Sequence, residues 1–270
     1  MLMLPSSIIY FFGFLVGIVF GSFLNVCIVR IPEEKSVVGP RSHCPHCNTL
    51  IAWYDNIPLL SFLILRAKCR KCKNKISYLY PFVEWITGLM AVLCLWKFQF
   101  SPKAAIWFFS FICPLIVITF IDLQHFIIPD VISIPFIFIG ILIHQLNQNF
   151  STPLATLLDS ITGIVVGGGV LWIIAKLYEV VRKQEGLGLG DVKLMAMIGA
   201  FLGWRAIFFV FLFSSLFASI LGIFLMIFSR YKLHSALPYG PFIVLGALLY
   251  LFSGTEVLHF YFDLVHHLLH

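Results

Sequence analysis

The residues IIYFFGFLVGIVFGSFLNVCIV, 8 to 29, form an apolar run that meets no charge until Arg30. About 20 such residues in a helix cross the hydrocarbon core of a bilayer, so this stretch is long enough to span one. No basic segment precedes it and no small-residue cleavage site follows it. It therefore reads as a retained helix rather than a removed secretory signal. The rest of the chain has the same character: of 270 residues 60% are hydrophobic and 11% charged, where a soluble domain carries about 25% charged residues. The fold class expected is all-α, a polytopic membrane bundle of about eight transmembrane helices. Apolar runs place them near 8–29, 80–97, 104–121, 131–146, 157–178, 192–202, 206–228 and 241–254. The stretch 192–228 is too long for one span and is divided at Gly203-Trp204.

Charge orients this bundle. Of the 18 Lys and Arg, all but Lys97, Lys103 and Arg205 fall in or beside loops on one side. The positive-inside rule makes that side cytoplasmic and puts both termini outside. The net charge of +6 then reflects topology and contact with anionic membrane lipid. Nucleic acid is not an expected partner, because the basic residues follow the loops and form no separate basic domain.

One loop is large. Residues 30–80 hold half of the Lys and Arg and four of the seven cysteines. The cysteines fall in two C-x-x-C pairs, CPHC at 44–47 and CRKC at 69–72. Each pair supplies two thiolates from one tight turn, and two pairs at this separation fit a tetrahedral four-cysteine zinc site. Cys44, Cys47, Cys69 and Cys72 would fill every position on the ion, so the zinc expected is structural. Arg70 and Lys71 would offset the anionic cluster, and His46 inside the first turn is expected to be solvated. Cys27, Cys94 and Cys113 fall in apolar spans and read as packing residues. In GIVVGGGV (163–170), Gly163 and Gly167 are spaced for close helix packing in lipid.

The acids carry the chemistry. Glu33 and Glu34 lie in the soluble loop, Asp130 is expected as a helix N-cap, and Asp159, Glu256 and Asp263 sit near the outer face. Glu84, Asp122 and Asp191 remain at the inner ends of spans, where an ionised side chain costs about 2.5–3.5 kcal/mol at full depth. Asp191, in GLGLGDVKL (186–194), alone reads as a cap for the helix that follows. Lys193 is not its obvious neutralising partner, because residues two apart face different sides of a helix. Asp122, in FIDLQHFIIPD (120–130), is expected at the same depth. Two carboxylates facing each other out of bulk water cannot both ionise cheaply and share a proton, the requirement for aspartyl proteolysis. Gly188 and Gly190 would leave room beside Asp191 for an extended substrate backbone.

Several of these motifs together resemble one family. GSFLNVCIVRIP (21–32), the two cysteine pairs, WYDNIPLLSFL (53–63), YPFVEWITG (80–88), IDLQHFIIPD (121–130), GLGLGDVKLMAMIGAFLGW (186–204) and PYGPF (238–242) occur in the order found in bacterial type IV prepilin peptidases. These are bifunctional leader peptidases and N-methyltransferases of the GxGD type, located in the inner membrane. The resemblance implies Asp122 and Asp191 as the catalytic pair. It implies prepilins or type II secretion pseudopilins as substrates, cleaved after a glycine at the cytoplasmic face. It also implies methylation of the new N-terminus from S-adenosylmethionine, whose binding site the motifs leave unassigned. By the same resemblance, residues 8–97 would be a methyltransferase-associated region, 104–254 the peptidase domain and 255–270 a C-terminal tail.

Asn25 and Arg30 could orient substrate or cofactor, Arg30 equally being an interfacial anchor. Glu84 could bind the basic leader or the new amine, or make a structural hydrogen bond. His259, Asp263, His266 and His270 are spaced for a metal, although an interfacial tail accounts for them better. The chain departs from the family pattern at Gln124, where a further acid is common, and at Ala67, where glycine precedes the third cysteine by two. A proton-coupled transporter and a noncatalytic assembly protein of the pilus or secretion machinery are the rival classes. Neither the substrate type nor the oligomeric state is legible.

Overall fold

The computed structural model describes residues 5–146, 152–182, 188–228 and 237–269, with side chains omitted over most of the stretch after Gly254. Among the described residues the chain is helical and contains no strand. In order come α1 (Ser6–Arg30), a 3-10 turn (Trp53–Asn56), α2 (Leu60–Ile64), α3 (Leu79–Lys97) and α4 (Pro102–Trp107). A π turn (Phe108–Ile112) leads into α5 (Cys113–His125), followed by α6 (Asp130–Gln145), α7 (Pro153–Arg182), α8 (Leu189–Leu202), α9 (Trp204–Phe228) and α10 (Gly240–Leu269). Five helical stretches are long and apolar enough to cross a membrane: α1, α3, the run Pro102–His125, α7 and α9. Two shorter apolar helices cover Asp130–Gln145 and Gly240–Gly254. Every expected helix is present, but the count of eight crossings is not established by helix length.

The chain divides into two compact units, Met1–Ile121 and Asp122–His270. In the first, α1 and α3 form an antiparallel pair. Gly13, Gly17 and Gly21 recur at every fourth position along α1 and turn one bare stripe toward α3. A methyl group on Gly17 would lie 2.6 Å from Gly88 Cα, and one on Gly21 2.7 Å from Glu84 Cα. The two backbones thus touch, and their polar groups are settled locally. Thr87 Oγ1 donates to Val83 O at 2.6 Å, and Asn25 Nδ2 donates to Tyr80 O at 3.0 Å. The π turn stands just ahead of Pro114, which has no N–H to continue the α-helical ladder.

The second unit is built around α8. Residues Leu194 to Phe201 are all buried, and at 14 residues the helix is only about 21 Å long. A core helix of this kind is apolar on every side because it has neighbours on every side. The expected glycine packing is observed: a methyl on Gly163 would collide with Gly199 O, and one on Gly167 would lie 2.5 Å from Met195 O. At the C-terminal end of α8, His144 Nδ1 lies 2.8 Å from Phe201 O and Nε2 lies 2.9 Å from Asp159 Oδ2. Ser160 Oγ donates to Ala200 O at 2.7 Å. The break between α8 and α9 falls at Gly203, as expected, and has two causes. Its φ is +79°, and a side chain there would strike the Asp159 carboxylate.

Two expectations are corrected here. Asp130 is the first residue of α6 rather than its cap; Pro129 precedes it and no side chain caps the helix. Asp191 is likewise in the first turn of α8, behind Gly188 at the cap position. Asp159 is buried as well, its side chain 9% exposed and bonded to His144. Residues 255–269 continue α10. The side chains of His259, Asp263, His266 and His270 lie outside the described residues.

The backbone contact between α1 and α3 is testable. Gly17→Ala should destabilise the protein by about 1–3 kcal/mol through overpacking. Gly169→Ala, where a methyl meets nothing within 4 Å, should be neutral. Thermal unfolding in detergent micelles measures both, and an unchanged Gly17→Ala midpoint would contradict the packing described.

Candidate active site and metal centre

Asp122 lies in the last turn of α5 and Asp191 in the first turn of α8. Both line one cavity of about 230 Å³ within the second unit, together with Ile128, Gly188, Gly190 and Lys193. Asp122 is 5% exposed, and its Oδ2 accepts the Gly240 N–H at 2.9 Å. Asp191 N donates to Gly188 O at 3.1 Å, and the Asp191 carboxylate lies against the Gly188 backbone. The start of α8 adds the positive end of a helix dipole beside Asp191.

Gly188 and Gly190 both line the cavity, and a methyl on Gly188 would meet nothing closer than Asp191 Oδ2 at 3.5 Å. Gly190 is packed, not open: a methyl there would lie 2.9 Å from Ile128 Cβ. Gly240, which the motif reading passed over beyond quoting PYGPF, presses on the acid itself. A methyl on Gly240 would lie 2.7 Å from Asp122 Oδ2. Gly186 and Leu187 of the GLGLGD motif lie outside the described residues. Lys193 does not neutralise Asp191. Its Nζ meets both oxygens of Asp130 at 2.7 and 2.8 Å, clamping α8 to the start of α6 beside the cavity. Tyr239 is fixed from the other direction, its hydroxyl lying 2.8 Å from Ser214 Oγ and 3.1 Å from Ser215 Oγ.

The first unit contains a separate centre. The sulfur atoms of Cys44, Cys47, Cys69 and Cys72 all lie within 4.8 Å of one another, with Cys44 and Cys72 3.8 Å apart. Zinc–sulfur bonds of about 2.3 Å in a tetrahedron set sulfurs about 3.8 Å apart, so the donor set fits that ion. The two turns share one design. Asn48 N donates to Cys44 O and Lys73 N to Cys69 O, at 2.8 and 3.1 Å. Asn48 and Lys73 both take left-handed backbone, at φ +53° and +59°. Thr49 Oγ1 lies 3.4 Å from Cys47 Sγ, a hydrogen-bond partner for a sulfur that a metal requires as thiolate. Arg70 is absorbed by Asp55, through bonds of 2.5 and 2.7 Å. His46 takes no part in the cluster.

Glu84 joins this loop region to the helix pair, whereas Asn25 ties α1 to Tyr80 in α3. Glu84 Oε2 accepts the Leu59 N–H at 2.7 Å, the structural alternative weighed for it above. Arg30 donates to Ser36 O at 2.9 Å and to Pro40 O at 2.7 Å. Ala67 has φ +57°, following Arg66 at +51°. That conformation explains why glycine suits the position.

A bundle of apolar helices in which two acids line one cavity defines a multi-pass membrane protein with a candidate acidic site. Residues 15–98 match the Bacterial Peptidase A24 N-terminal domain, and residues 109–223 match the Type IV leader peptidase family. Among curated proteins, the chain is 40% identical over 224 residues to a prepilin leader peptidase/N-methyltransferase of Myxococcus xanthus. That match covers 80% of this chain and 63% of that protein. Proteins of the same description from Stutzerimonas stutzeri and Aeromonas hydrophila are 32% and 34% identical. Coverage is 89% of both chains in the first case and 92% in the second. No solved structure matches. The chain belongs to the type IV leader peptidase family and is a multi-pass membrane peptidase.

Replacing Ala67 by glycine should stabilise the loop. It removes a left-handed cost of roughly 1–2 kcal/mol, partly offset by the greater freedom of glycine when unfolded. A higher unfolding midpoint and slower metal loss to a chelator are expected. A lower midpoint would contradict the backbone assignment.

Proposed function

We propose that this chain is an aspartyl endopeptidase that removes the leader of prepilins or pseudopilins and then methylates the exposed amine. The observation that carries the reading is the convergence of Asp122 and Asp191 on one cavity. The names of the relatives from M. xanthus, S. stutzeri and A. hydrophila support both activities. The pair would hold a single proton. The ionised carboxylate takes a proton from water as the water oxygen attacks the scissile carbonyl, and the other acid donates a hydrogen bond to that carbonyl. Collapse of the tetrahedral intermediate breaks the C–N bond, and the leaving amine gains a proton from the pair. Gly240 N–H holds one oxygen of Asp122, which leaves its other oxygen for this work. The Lys193–Asp130 clamp keeps the ammonium occupied, so the shared proton is not displaced by a free cation.

S-adenosylmethionine would supply the methyl group: the amine nitrogen takes it from the sulfonium, loses a proton, and S-adenosylhomocysteine leaves. Residues 8–97 are the region we associate with that step and 104–254 the peptidase domain. Cys44, Cys47, Cys69 and Cys72 would hold a structural zinc that stabilises the loop without entering catalysis. The distribution of basic residues supports the bacterial inner membrane, with the loop and the aspartates on the cytoplasmic side. Acids at helix ends, rather than in helices broken at mid-span, weigh against a proton-coupled transporter.

Asp122→Asn and Asp191→Asn should each lower cleavage of a prepilin peptide by at least about 10²–10⁴-fold, while methylation of a precleaved peptide persists. Wild-type cleavage by either purified, folded variant would sink the proposal. For the metal, elemental analysis should find about one zinc per chain, lost in Cys44→Ser and Cys72→Ser. Those variants should lose thermal stability first and activity only as the loop unfolds. A metal-free wild-type preparation with an intact loop would refute the zinc assignment.

A further inference from the structure

A second cavity, of about 320 Å³, lies in the first unit where α1 meets the loop that follows it. Val26 and Arg30 of α1 form one wall, and Pro40, Arg41, Ser42 and Trp53 contribute the rest of what matters. No acidic side chain lines it. Neither arginine takes part in the ion pairs recorded among the described residues. Arg30 spends two N–H groups on backbone carbonyls, which fix the guanidinium in place without neutralising its charge. Arg41 is exposed. Two unneutralised guanidinium groups in a concave site select an anion, and their forked donors suit phosphate oxygens.

Position and apolar surface identify the anion further. Arg30 is the last residue of a 25-residue membrane-length helix, which measures about 37 Å against a hydrocarbon core of about 30 Å. The end of α1 therefore reaches headgroup depth. Trp53 is 75% exposed and Val38 93% exposed at the rim. Val37 and Ile51 add further aliphatic surface to the lining. An indole at the interface beside bare aliphatic side chains suits a molecule that is ionic at one end and apolar at the other. A free inorganic anion would need no such apolar rim.

We propose that this cavity binds the phosphate headgroup of an anionic phospholipid, with Arg30 and Arg41 on the phosphate and Trp53 beside the glycerol. Occupied, it ties the cysteine-bearing loop to the bilayer surface independently of either chemical activity.

The test is native mass spectrometry of the full-length, zinc-replete protein in micelles doped with dioleoylphosphatidylglycerol or dioleoylphosphatidylcholine. Wild type should retain one phosphatidylglycerol about tenfold more tightly than phosphatidylcholine. Arg41→Gln and Trp53→Ala, both at exposed positions, should lose that preference while keeping zinc and cleavage activity. Lys103→Gln, outside the cavity, should retain it. Equal retention of the two lipids, or an unchanged preference in both variants, overturns the proposal. Displacement of phosphatidylglycerol by inorganic phosphate at equal concentration would overturn it as well, making the cavity a free-anion site. Because wild type itself is compared across lipids, misfolding of a variant leaves the test decisive.

Discussion

Gly163 and Gly199 bring the backbones of α7 and α8 together with no side chain between them, and the second unit depends on that contact. Without a hydrophobic driving force inside lipid, helices associate through van der Waals packing and polar bonds, and small residues allow the closest approach. Here the approach encloses a helix too short to be judged a span by length. Once α8 is buried from Leu194 to Phe201, its position is set by its neighbours. Asp191, in its first turn, inherits that position. A catalytic carboxylate must be placed to a fraction of an ångström, and a rigid, packed helix provides this better than a loop.

The two ends of α8 are held by polar groups of different kinds. At the C-terminal end, His144 bridges Phe201 O and Asp159. One imidazole thus ties α6 to both α7 and α8. Removing either partner would leave a buried polar group unpaired, a loss of the order of 3–5 kcal/mol. At the N-terminal end the Lys193–Asp130 pair is partly exposed. Such a pair adds little stability by itself, but its geometry settles where the ammonium goes. One end is thus fastened by burial, while the other arranges charge around the cavity.

The helices were legible because each span is a continuous apolar run, a strong signal with few rival explanations. The break at Gly203 was legible because length forbade one span, although its second cause, the Asp159 carboxylate, is a tertiary contact. The stripe Gly13, Gly17, Gly21 was missed, yet its four-residue spacing is as plain as that of Gly163 and Gly167. Asp122 and Asp191 stood out because an acid at a helix mouth demands an explanation, and the family motifs paired them. His144–Asp159 and Lys193–Asp130 were not legible. The partners stand 15 and 63 residues apart on different helices, and sequence position alone gives no partner for a charge whose neighbours come from another helix.

The cysteine loop shows the converse case, in which local sequence specifies nearly everything. Both turns repeat the same bonds and the same left-handed residue after the second cysteine, so each C-x-x-C would form one half of a metal site without long-range help. The strain falls just before the second turn, at Arg66 and Ala67. A metal that binds the folded loop and not the unfolded chain adds its binding free energy to the fold. That energy easily exceeds the roughly 1–2 kcal/mol of one left-handed alanine. A metal held by the four cysteines, as proposed, would therefore make Ala67 tolerable at this position.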